Sequence, residues 1–246
     1  MEQVPPHGSP EVRLAPVIAV CGLAFEAGIA EGPGIVTLCG LGSESLAARL
    51  EDLITRPGPS FRGIISFGTA GGLDPALPPG ACVIAEAVVT PGARFPVDAG
   101  WLQALRARLP SATQGLLAGV DAPLVDASEK AHLRQLSGAC IVDMESHRAA
   151  RIAQCHGVPF AACRVVVDPA YRSVPPAATA GVREDGTTAL LRIVRSLARQ
   201  PWQLPSLIRL ALDARAARQT LRAVRVQLGG AFSLPPHQDQ AKTAGR

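Results

Sequence analysis

Six short apolar runs recur along the chain, each closed by glycine, proline or a charged residue. They lie at residues 17–23, 34–39, 63–67, 81–89, 139–142 and 158–167, and they read as buried strands. Apolar residues at helical spacing fill the stretches between them, near 44–54, 99–109, 128–137 and 144–156. Ser43 is placed to cap the first of these helices, with Glu44 in its opening turn. Leu102, Leu105 and Leu109 share one face of the second. Residues 22–26 and the glycine run 68–72 read as turns at strand ends. The alternation of strand and helix predicts an α/β protein, a three-layer α/β/α sandwich.

The ends of the chain differ from this body. Residues 1–16 hold four prolines and read as a flexible leader, so the main domain is expected over 17–200. Two more helices follow, at 187–199 and 206–228. In the second, Leu207, Leu210, Ala211, Ala214, Ala217, Leu221, Val224 and Leu228 form a stripe, with Arg209, Arg215, Arg218, Arg222 and Arg225 mostly off it. That pattern predicts a basic amphipathic helical arm over 201–229, and 230–246 reads as a disordered tail.

A length of 246 residues suits one large domain, and with aromatics at only 4% the core must rest on Val, Leu, Ile and Ala. The net charge of +4 is uneven: residues 187–246 carry ten Lys or Arg against two acids, which leaves the body mildly acidic. Such a basic end fits nucleic acid, an anionic membrane or plain solubility. Nucleic acid ranks low, because aromatics are not interleaved with the arginines. The six cysteines show no CxxC pair and no zinc-like spacing to histidine, so no metal and no other cofactor is expected, and a reducing cytoplasm is. The apolar run 17–24 is too short to span a bilayer.

Four charged residues stand out because they interrupt or end buried strands, where charge is costly unless paired or used. Glu26 follows the first strand, Glu145 opens a helix, and Arg164 and Asp168 lie within and at the end of the last strand. Glu26 also fits an ordinary turn, Glu145 the positive end of a helix dipole, and Asp168 before Pro169 a turn former. Arg164 sits in an apolar strand and must pair with something, Glu145 or Glu26 being the candidates. Ligands in open α/β sheets collect at such strand ends, so Glu145, Arg164 and Asp168 are expected to wall one pocket. His132, His147 and His156 read as surface residues.

Taken together, GIISFGTAGGL at 63–73, VDMES at 142–146 and RVVVD at 164–168 resemble, in order, three motifs of the purine nucleoside phosphorylase and methylthioadenosine nucleosidase superfamily. The resemblance implies a central mixed sheet. GLAFEA at 22–27, GLDPAL at 72–77 with Pro79 and Gly80, and Lys130 ahead of VDMES are similar to the hopanoid-associated phosphorylase-like branch. That likeness implies a nucleoside with a large apolar 5′ substituent, adenosylhopane, from which adenine is removed.

The roles it implies are specific. Asp168 protonates the purine, Glu26 activates water with Arg164 and Thr69 placing it, and Glu145 holds the ribose hydroxyls with Met144 under the sugar. Thr69, Ala70 and Gly71 join Met144 and Glu145 in binding substrate. Phosphorylases of the superfamily carry basic residues where this chain has Ser66 and the 22–26 turn. A phosphate dianion would meet Glu26 there, which favours hydrolysis. A phosphate-dependent phosphorylase and a non-catalytic nucleoside or lipid binder are the alternatives. Val167 replaces the usual Ser before the last Asp, and the aromatic that stacks on the base is absent from 125–128. A homodimer and a peripheral membrane contact through 201–228 are further expectations.

Overall fold

The computed structural model of the chain describes residues 15–42, 44–58, 60–175, 178, 186–187 and 199–236. Residues 1–14 of the expected leader, the Ser43 cap, all but the ends of the 187–199 helix and the tail from 237 lie outside the described residues.

Eight strands form a single mixed sheet: β1 (Val17–Cys21), β2 (Ile35–Cys39), β3 (Gly63–Gly72), β4 (Cys82–Thr90), β5 (Ala93–Pro96), β6 (Thr113–Gly119), β7 (Ile141–Asp143) and β8 (Phe160–Asp168). Among the described residues the α-helices are α1 (Ala24–Ala30), α2 (Glu44–Thr55), α3 (Ala99–Arg108), α4 (Ala127–Ser137), α5 (Ser146–Cys155) and α6 (Leu204–Leu228). Side chains alternate along each strand, so both faces of the sheet are buried. In β1, Ile18 and Val20 join a core covered by α2 and α5. Val17, Ala19 and Cys21 face the opposite core, covered by α1, α3 and α6. The three-layer architecture is therefore present, and its sheet is mixed.

The pairing pattern creates the site. β8 runs parallel to β3 from Ile64 to Gly71 and antiparallel to β4. The other edge of β3 is divided. β1 pairs with it only as far as Ser66, and β7 joins only at Gly71. Residues 67–70 thus run through the sheet with one strand neighbour, and the amides they expose on the open edge need other partners. The glycine run read as a loop is instead the second half of this strand. Strand geometry survives there because β8 and then β7 hold its edges.

Three elements escaped the sequence reading. α1 occupies the stretch taken for a turn, and β5 and β6 lie in stretches with no assigned strand. The C-terminal helix starts two residues earlier than expected and packs only in part. Ala217, Leu221, Val224 and Leu228 are buried against the sheet, whereas Ala211 and Ala214 of the expected stripe are exposed. Trp202, Leu204, Ile208 and Leu212 also stand in solvent. The expected disorder after Gly229 does not extend to residues 230–236. Phe232 is fully buried there and stacks obliquely on Phe67, with ring centroids 4.9 Å apart. Its carbonyl accepts a 2.9 Å hydrogen bond from Trp101 Nε1, which locks the C-terminal turn to α3. No helix among the described residues is long and apolar enough to cross a membrane.

Trp101 therefore joins two parts of one core. Trp101→Ala is expected to cost about 3–5 kcal/mol through the lost contacts and cavity, read as a lower urea midpoint with an unchanged m-value.

Candidate active site

Glu26 is built into place by its own helix. It is the third residue of α1, and its carboxylate reaches back to accept from the amides of Gly22 and Leu23 at 3.0 Å each. A glutamate at this helix position commonly satisfies the orphan amide of the cap. Here the other oxygen does more: it accepts from the Thr69 amide at 2.8 Å and the Thr69 hydroxyl at 2.6 Å. The unpaired edge of β3 is thereby satisfied by a carboxylate from β1's side of the divide. Gly68 makes the approach possible. A Cβ on it would lie 2.4 Å from Glu26 Oε2 and 2.7 Å from Arg164 Nη1.

Arg164 projects from the middle of β8 and is 1% exposed. Its Nε lies 2.7 Å from Asp143 and its Nη2 3.4 Å from Glu145. The Nε–H is not aimed at its acceptor, so charge rather than a directional bond holds that contact. Nη2 also donates to Ser66 Oγ at 2.5 Å, and Nη1 to the Thr69 carbonyl at 3.3 Å. Asp143 in turn accepts from the amide and hydroxyl of Ser146 and so fixes the start of α5. Burial lifts the Glu145 carboxyl to about 8, against the pull of Arg164 and with Asp143 and Glu26 adding to the rise. Its Oε1 accepts from the Gly42 amide at 3.2 Å. Gly42 has φ +35°, and a Cβ there would strike Met144 at 2.7 Å, so this turn can lie against Met144 only as glycine.

Asp168 ends β8, where a shift in register sets it opposite Gly71. Burial raises its carboxyl above the ordinary range, although Lys130 pulls the other way. Lys130 Nζ lies 2.5 Å from Asp168 Oδ2.

Glu26, Thr69, Glu145 and Arg164 thus meet in one buried cluster, Met144 lies beside it against Gly42, and Asp168, expected to share a pocket with Glu145 and Arg164, stands further along β8 with Lys130 and Gly71. Arg164 pairs with Glu145, one of its two expected partners, and approaches the other, Glu26, across Gly68. Ala70 offers only backbone, because its side chain belongs to the core, and Gly71 is paired on both edges. Ser66 supports Arg164 and, because the Ser146 hydroxyl donates to Asp143, gives its own proton to Ser146 Oγ across 2.7 Å. Asp143, Ser66, Ser146 and the Lys130 pairing were not anticipated. Asp143 did carry a signal, as an acid inside a buried run. The three histidines among the described residues lie elsewhere: His147 meets Asp121 at 3.1 Å, His156 meets Glu51 at 2.5 Å, and His132 is exposed. Among the described residues no group of three or more His, Cys, Asp or Glu side chains could hold a metal.

A β3 divided along one edge, with a buried carboxylate and an arginine at the gap and an aspartate ending the neighbouring strand, marks an α/β protein with a polar site within its mixed sheet. The family model of the phosphorylase superfamily matches residues 11–199, and the chain belongs to that superfamily. Among solved structures it is similar to 5′-methylthioadenosine/S-adenosylhomocysteine nucleosidase of Neisseria meningitidis in complex with methylthio-immucillin-A. The TM-score is 0.60 at 18% identity, over 87% of this chain and 98% of that one. The nucleosidase of the same name from Helicobacter pylori gives 0.60 at 14% identity, over 87% and 99%. Futalosine hydrolase of H. pylori gives 0.54 at 15%, over 63% and 88%. These likenesses establish a shared fold. No curated protein sequence matches the chain.

Glu145 supplies a test of the electrostatics. A carboxyl raised by folding stabilises the protein below its unfolded value, and that contribution is lost as pH rises through about 8. Glu145→Gln is therefore expected to leave the melting temperature near that of the wild type at pH 5 and to raise it by a few degrees at pH 9, measured by thermal unfolding.

Proposed function

We propose that the protein is a nucleosidase that cleaves the N-glycosidic bond of a purine nucleoside with water as the nucleophile. One observation carries this reading: Glu26 fills the cradle of three amides and a hydroxyl beside Arg164. An anion-binding arrangement of this kind is what a phosphate dianion would require. Occupied by a tethered carboxylate, it disfavours phosphate and offers a base for water. The water proton passes to Glu26 as the oxygen bonds to the anomeric carbon. The electrons of the broken bond go to the purine, which takes a proton from Asp168. Glu145 accepts from the ribose hydroxyls, and Met144 lies against the sugar. Arg164 and Asp168 stand four residues apart on one strand, about 13 Å, a span that suits a nucleoside lying along β8.

The finer assignment is adenine release from adenosylhopane in hopanoid biosynthesis. It is supported by the likeness of residues 22–27 and 72–77 to the hopanoid-associated branch. A lipid-tailed substrate also suits the exposed Trp202, Ile208 and Leu212, which adjoin Arg209 and Arg215 and have the character of a surface for anionic lipid. Sedimentation with anionic vesicles is expected, and Ile208→Asp is expected to weaken it.

Adenine release from adenosylhopane in detergent should proceed equally with and without phosphate; strict dependence on phosphate would make the protein a phosphorylase. Asp168→Asn should abolish release while sparing ligand binding. Glu26→Ala should lose about 10²–10⁴-fold in rate, with partial recovery on adding formate, which can enter the vacated cradle.

A further inference from the structure

Among the described residues Lys130 is the most deeply buried cation outside the Arg164 cluster, with a side chain 0% exposed. It belongs to α4, an otherwise polar helix in which it is the buried residue. Its ammonium has three N–H donors, and each finds an oxygen. Asp168 Oδ2 lies at 2.5 Å, the Arg172 carbonyl at 3.0 Å and the Pro169 carbonyl at 3.2 Å. Two of the three acceptors are backbone groups of the segment that follows β8. A buried lysine is costly unless it is paired, and here the partner is the carboxylate that ends β8. The Asp168 side chain, however, keeps 15% exposure. The carboxylate thus has a dry ammonium on one oxygen and keeps some contact with solvent.

We propose that Lys130 is a positioning residue for the proton donor. It holds one oxygen of Asp168, leaves the other to meet the purine, and keeps the group acidic enough to release its proton. This inference rests on the reading of Asp168 as the general acid. The charged groups that face Asp168 fit the assignment. Lys130 comes from α4 and favours the carboxylate, while Asp213 comes from α6 and opposes it. Asp213 is itself held by the Arg172 side chain, so its influence is muted. Of these groups only Lys130 touches the carboxylate. An opposite charge at this distance typically lowers a carboxyl by about 1–3 pH units, so the loss of Lys130 would leave Asp168 a weaker acid.

Two measurements on the full chain test this. The first is independent of turnover: titration of Asp168 by NMR in protein labelled at the aspartate carboxyl carbon, with the signal assigned through Asp168→Asn. In Lys130→Met the midpoint should rise by about 1–3 pH units, and in Lys130→Arg it should return close to the wild-type value. Lys130→Gln carries the same test if the methionine variant does not fold. The second is the pH profile of adenine release. In the neutral variants the alkaline limb should move up by a similar amount and kcat should fall at least tenfold, with a smaller change in KM. An unmoved midpoint overturns the proposal, as does a moved midpoint with wild-type kcat. Full activity in Asp168→Asn overturns the general-acid reading instead, and the titration then still reports whether Lys130 governs the carboxyl.

Discussion

A guanidinium in the middle of a buried strand sets the terms for everything around it. Arg164 cannot reach solvent, so its charge must be met where it stands, and the Asp143 carboxylate is brought in to meet it, with Glu145 beside it. The dependence is mutual. Without Arg164 the buried carboxyls of Asp143, Glu145 and nearby Glu26 would face one another in a dry space. Breaking such a cluster from one side typically costs about 3–5 kcal/mol. Ser66 and Ser146 close the remaining valences, and Asp143 also anchors the first turn of α5. The arginine therefore fixes where a helix begins and how two acids are presented, beyond any part it takes with a ligand.

The divided edge of β3 is the backbone counterpart of this cluster. A strand flanked on both sides along its whole length would have no amides to spare. Because β1 departs at Ser66 and β7 arrives only at Gly71, the Thr69 amide is free to bind a carboxylate. The two features are complementary: the open edge supplies neutral donors and Arg164 supplies charge. Together they surround the buried Glu26 carboxylate.

What was legible in the sequence followed from strong local signals. The valine-rich and isoleucine-rich runs of β1, β3 and β8 announce buried strands, and a lone arginine within such a run announces a partner. β6 was missed because TQGLLAG offers two glycines and no β-branched residue beyond Thr113, so its strand form comes from β4 and β7 on either side. α1 was missed because it is short and its N-terminus is satisfied by Glu26, three residues in, rather than by a preceding Ser or Asp. Ser66 and Ser146 are 80 residues apart, and Lys130 and Asp168 are 38 apart. No spacing rule links them until the fold places them together. The three motifs pointed to a family because they come from strand ends that the topology gathers. The Lys130 contact with Asp168 depends on a helix packing that no local pattern encodes.

The way Glu26 is held has one more consequence. A group tied to the chain three residues from its own helix cap cannot diffuse away, so its cradle sees it at a high effective concentration that does not vary with the surroundings. A free anion must displace it, stranding a buried carboxylate in the process, and so competes from a weak position at the millimolar levels usual for small ions. The occupant of this site is thus chosen by covalent connection rather than by mass action, which insulates the local chemistry from changes in the anion pool. A single side chain on a seven-residue helix is sufficient to impose that independence.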